Sequence, residues 1–209
     1  MDPLAEQILK FWFGTTDMTT PFEKRDVWFR STPEFDQTLI DDYTDIHESA
    51  LAGALDHLTG SPEECLALII SLDQFPRNIY RGSPRAFAAD PKAREITNHA
   101  LDNDFHRAIG KWPKIFMYLP LEHSEEFADH ERVLPLYKEV ADEQSIQSAQ
   151  GHYDTIKQYG RFPHRNEVMG LQNTPEEDEY MKNPPTWGKT KAKVEEMERL
   201  KAEREAAAE

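Results

Sequence analysis

The amino-acid sequence predicts one all-α domain, and three observations carry that reading. Apolar residues recur at steps of three and four along most of the chain, the period of a helix with one buried stripe. Helix starts are spelled out in Ser61-Pro62-Glu63-Glu64 and Thr174-Pro175-Glu176-Glu177, where a hydroxyl caps orphan N–H groups, proline takes the first turn and carboxylates face the positive end of the dipole. No segment alternates apolar and polar residues over a strand's length between turn signals.

In chain order, a first helix is expected over residues 4–13 and a short one over 27–29. Phe35, Leu39, Tyr43, Ile46, Ala50 and Ala54 put one stripe on a long amphipathic helix over 33–56. The helix opened at Ser61-Pro62 is apolar on most sides as far as Asp73, which makes it central. Asp90-Pro91 starts another, to residue 100. Helices over 124–140 and 146–159 follow, the second with Ile146, Ala149, Tyr153, Ile156 and Tyr159 on one stripe, and Thr174 caps a short helix to residue 181. Asn183-Pro184-Pro185 then separates a helical domain, 1–183, from a charged tail helix, 184–209. Val194, Met197 and Leu200 give that tail only a narrow stripe, which fits a solvated helix or a docking site for a protein partner.

With 209 residues, 38% of them hydrophobic and 11% aromatic, the chain suits one domain with a sizeable core. Its 24 basic and 39 acidic residues leave a net charge of −15, which opposes binding to nucleic acid or an anionic membrane. The single cysteine, Cys65, adjoins the run Leu66-Ala67-Leu68-Ile69-Ile70, so no internal disulfide can form and a buried thiol is expected. No apolar stretch reaches the ~20 residues of a membrane span, and the acidic start lacks the features of a signal peptide, so the expected location is cytoplasmic.

Two copies of one pattern stand out: Phe75-Pro76-Arg77-Asn78 and Phe162-Pro163-His164-Arg165-Asn166. Each follows a helical stretch, and proline both stops a ladder and restricts the residue before it, so each Arg-Asn pair is expected on a turn. Two such turns can face a common anion, or they can tie down exposed helix-end carbonyls. Both readings stand at this level. Arg77, Asn78 and Arg81 form one donor set beside Asp73, and Arg161, His164, Arg165 and Asn166 form the other.

Together with Ile8-Leu9-Lys10-Phe11-Trp12-Phe13-Gly14, Trp28-Phe29, Leu72-Asp73-Gln74 ahead of the first motif and Tyr118-Leu119-Pro120-Leu121-Glu122-His123-Ser124-Glu125, these motifs resemble the domain-of-unknown-function 924 family over roughly residues 4 to 183. The resemblance implies an architecture, a tetratricopeptide-like array of antiparallel helix pairs, and attaches no activity to it. A true array of that kind repeats every ~34 residues, a period this sequence does not show. Stacked helix pairs nevertheless offer a concave groove.

His123-Ser124-Glu125-Glu126 reads as a well-made helix start, or as an imidazole oriented by Glu125 to act as general base. His152 stands beside its helix stripe, within reach of His123 or His164. The cluster Phe11, Trp12, Phe13, Trp28 and Phe29 reads as core or as a ligand-stacking wall. The chain has no His-Glu-x-x-His, no paired Glu-x-x-His, no cysteine cluster, no phosphate loop and no nucleophile elbow, so no metal or cofactor is expected. The functional expectation is a groove that binds a small anion or an acidic peptide through Arg77, Asn78, Arg81, His123, Arg161, His164, Arg165 and Asn166. The alternatives are a hydrolase-type enzyme with His123 or His164 as acid/base and arginine anchors, or a purely structural scaffold.

Overall fold

Side-chain caps start most of the larger helices. In the computed structural model, which describes residues 1–208, Asp2 accepts from the Leu4 N–H at 2.8 Å to open α1 (Pro3–Phe13). Thr32 opens α2 (Pro33–Leu51) and Ser61 opens α3 (Pro62–Ile69) in the same way. There follow α4 (Phe75–Ile79), α5 (Asp90–Asp102), α6 (Lys111–Glu122), α7 (Phe127–Val140), α8 (Glu143–Tyr159), α9 (Asn166–Met169), α10 (Pro175–Tyr180), whose Thr174 and Glu177 form a full capping box, and α11 (Lys191–Ala208). The chain is a single all-helical domain with no strand among the described residues. None of its described helices is long and apolar enough to cross a membrane. Glu209, the last residue of the expected 184–209 tail, lies outside the described residues.

Each of the helices α1 to α8 packs on elements close to it in the chain. The α1 helix lies on α3, α2 on α4, α3 between α5 and α6, α6 on α7, and α7 on α8, an arrangement compatible with stacked helix pairs. Cys65 through Ile69 are completely buried at its centre, and burial pushes the Cys65 thiol up to about 12. Phe116 of α6 is an aromatic hub, with ring contacts to Trp12 at 5.6 Å, Phe13 at 5.4 Å and Trp28 at 5.0 Å. Each such buried ring stabilises by about 2 to 3 kcal/mol.

The helix opened at Ser61 does not stop at Pro76. It widens into one π turn over Ile70–Gln74, in which the Phe75 N–H reaches the Ile70 carbonyl, and runs on as α4. One extra residue in that turn accommodates the proline ring and its missing donor, so Arg77 and Asn78 sit on a helix and not, as expected, on a turn. The α6 helix is absent from the sequence expectations because it carries Pro113 and Pro120 and buries nearly every side, leaving no stripe to read. The expected 33–56 helix ends at Leu51, two residues ahead of Gly53 with its φ of 88°. The tail helix starts against the domain: the Lys191 N–H meets the Ser31 carbonyl at 3.2 Å and Val194 is 3% exposed.

Candidate functional site

The π turn decides where the first motif points. It places Asp73 in full burial one residue before Gln74, whose amide donates to the Asp73 carboxylate at 2.5 Å. Arg77, one turn on, reaches the same carboxylate at 3.1 Å and the Asp73 carbonyl at 2.6 Å. Across from them, His123 closes α6 with Nδ1 at 2.9 and 3.1 Å from the two Asp73 oxygens. Burial alone would raise the Asp73 pKa, but the Arg77 and His123 partners outweigh it and hold the group below the usual carboxylate range. Burial lowers the His123 pKa, and the Arg77 charge lowers it further. The imidazole is therefore neutral at pH 7. An ionised carboxylate only accepts, so Nδ1 carries the proton and Nε2 keeps its lone pair. That Nε2 has no protein hydrogen bond among the described residues, and His123 lines a cavity of about 460 Å³.

A second carboxylate–histidine pair stands beside the first. The His152 Nδ1 is 2.9 Å from Glu122 Oε1, and the Ser148 hydroxyl donates to the same oxygen at 3.1 Å. The two imidazoles lie 6.1 Å apart. Tyr137 is buried beside Glu122, and burial together with that carboxylate pushes its hydroxyl pKa well above 10. Trp187, just ahead of the tail helix, stacks on His152 at 3.6 Å and 23°. Gly151 makes that approach possible, since a Cβ there would meet the Trp187 ring at 3.1 Å.

The cavity joins these groups to the first donor set. Arg77, Asn78 and Arg81 line it. Arg81 also clamps Asp36, Ser31, Asn78 and the Gly188 carbonyl, the last at 2.5 Å. The walls add Lys24, Arg30 and Lys189, so five basic side chains face two carboxylates, Asp26 and Glu122.

Arg161, His164, Arg165 and Asn166 do not line the cavity. Arg165 donates to the Asp90 carboxylate at 3.2 Å and to the His123 carbonyl at 3.0 Å, packed between the rings of Phe87 and Phe162. Arg77 also reaches Asp90, at 3.0 and 3.1 Å, so the two motif arginines converge on one carboxylate of the protein itself. Arg161 grips Glu177 through two 2.6 Å bonds, and Asn166 donates to Asn173 and Glu177. Burial pushes His164 down to about 3, between Phe162 and Trp187. Glu125, expected to orient His123, instead accepts from the Phe162 N–H, and Asp73 does the orienting. Glu122, Trp187, Lys24, Arg30 and Lys189 were not singled out from sequence. The one signal was Glu122 standing next to His123.

A model of the family described as bacterial protein of unknown function, DUF924, matches residues 8–185, most of the chain. The chain belongs to that family. It is similar to a solved structure, the protein of unknown function ATU0120 from Agrobacterium tumefaciens, with 34% identity and a TM-score of 0.78 over 85% of this chain and 96% of that one. No curated protein matches. The family segment contains both carboxylate–histidine pairs and both Phe-Pro motifs, whereas Trp187 and Lys189 lie just beyond it. No group of three or more metal-ligating side chains occurs among the described residues.

Proposed function

We propose that the cavity binds a small organic anion and that His123 exchanges a proton with it. One observation carries the reading: in a chain of net charge −15, five basic side chains line the cavity, and two of them, Lys24 and Lys189, have no ion pair among the described residues. The other three, Arg30, Arg77 and Arg81, are paired with Glu198, Asp73 and Asp36. The neutral His123 adds an acceptor nitrogen directed by a buried carboxylate, the arrangement a general base requires. Calorimetric titration with acetate and inorganic phosphate, run in two buffers of different ionisation enthalpy, tests both halves. Binding should weaken at least tenfold in the double substitution Lys189→Ala, Arg30→Ala. It should be accompanied by uptake of about one proton that His123→Gln abolishes. Affinity unchanged by the double substitution would overturn the anion reading, and anion binding without proton uptake would remove His123 from it.

Hydrolysis is the second reading, favoured by the Asp73–His123 pair, since a histidine with Nδ1 on a carboxylate and Nε2 on a cavity can activate water. A structural role suits the second motif, whose arginines are spent on Asp90, Glu177, the His123 carbonyl that closes α6 and the loop carbonyl of Gln172.

A further inference from the structure

We propose that the ligand's anionic group is carried on a flat apolar body, so that the cavity selects aromatic carboxylates over small or inorganic anions; this rests on the anion reading above. Among the polar groups of its lining the cavity also presents aromatic side chains, Trp28, Phe29 and Trp187. Phe29, 40% exposed, is one of the few large apolar side chains left open to solvent among the described residues, and it lines the cavity. Its ring stacks on Phe116, at 6.0 Å and 24°, so its exposed rim is held on a rigid support. The Lys24 ammonium sits over the face of that ring, 4.7 Å from its centre, so a ligand's aromatic body meets Phe29 at its exposed rim with the charge directly beside it. Trp28 offers the cavity a ring and not a donor, because its N–H is spent on the Trp12 carbonyl at 2.7 Å.

Trp187 supplies another wall from a different part of the chain. It is anchored through its stack on His152 and the seat left by Gly151. Two residues on, Lys189 lines the same cavity with no ion pair or side-chain hydrogen bond among the described residues. An aromatic carboxylate satisfies both features, its ring against the aromatic walls and its charge at Lys189 and Lys24. Acetate and phosphate satisfy only the second. Aromatic contacts of this kind contribute beyond area burial, and a cavity of about 460 Å³ has room for a two-ring body.

The test is titration of the full chain with 1-naphthoate, acetate, inorganic phosphate and the uncharged 1-naphthalenemethanol. Naphthoate should bind at least tenfold more tightly than acetate, phosphate or the alcohol. Phe29→Ala, at a position 40% exposed, should erase most of the difference between naphthoate and acetate. Gly151→Ala should weaken naphthoate several-fold by displacing Trp187, with acetate nearly unchanged. Acetate or phosphate binding as tightly as naphthoate overturns the aromatic inference and leaves the anion reading standing. The alcohol binding as tightly as naphthoate overturns the anion reading instead, and absence of binding by all four at millimolar concentration overturns both.

Discussion

Phe75-Pro76-Arg77-Asn78 and Phe162-Pro163-His164-Arg165-Asn166 carry the same residue types, yet only the first faces the cavity. The difference lies in what precedes each proline. Ahead of Pro76 the helix is wholly buried and continues through a π turn, so Arg77 and Asn78 emerge from its inner face. Ahead of Pro163, Gly160 closes α8 with a φ of 69°, and the motif becomes a short 3-10 turn behind the site. Arg165 there reaches the carbonyl of His123 and shares Asp90 with Arg77, so the second motif braces the residue that the first orients. A repeated short pattern reports a shared need for planar donors and leaves open which copy meets a ligand.

The largest expected effect tests the buried end of this arrangement. Asp73→Ala strips His123 of its partner and leaves Arg77 only Asp90, which it shares with Arg165, and should cost about 3 to 5 kcal/mol in a denaturant melt, because buried groups lose the acceptor they were paired with. An effect below about 0.5 kcal/mol would mean that the first motif is no more structural than a surface pair.

Acid should act on the second motif. His164 is depressed from 6.5 to about 3, so between those values the unfolded chain binds a proton that the folded chain does not. Stability is then full above about pH 6.5 and falls as pH drops, by about 1.4 kcal/mol per pH unit. Melts between pH 7 and pH 5 should show the loss, near 2 kcal/mol from this group at roughly pH 5, and His164→Gln should flatten it. His123 is shifted in the same direction and adds to the slope.

Truncation after Lys189 removes Val194, which is buried, along with the Lys191 contact to Ser31. It should lower the melting midpoint by about 4 to 8 °C, from about 2 kcal/mol of lost burial. At the small end, Lys193→Ala breaks an exposed pair with Glu196 and should change stability by less than about 0.5 kcal/mol.

Much of the fold was legible because local physics sets it. Caps at Ser61 and Thr174, stripes along residues 33–51 and the apolar run after Cys65 are consequences of neighbours within one or two turns. The α6 helix escaped notice because burial on all sides erases periodicity and its prolines imitate stops. The site was half legible. His123, Arg77, Asn78 and Arg81 were singled out as donors, and Asp73 lies one turn from Arg77, but other partners lie far along the chain: Asp73 is 50 residues from His123, Asp36 is 45 from Arg81, and Asp90 is 75 from Arg165.

By itself, then, the sequence determined a helical chain with one central apolar helix, a buried thiol and donor-rich motifs at two places. The tertiary structure decided that Pro76 is absorbed in a π turn, that Asp73 and not Glu125 orients His123, that both motif arginines meet at Asp90, and that Trp187 closes over His152. The physical reason is range: capping and amphipathic period act within a few residues, whereas the pairing of buried charges is settled by which helices pack together.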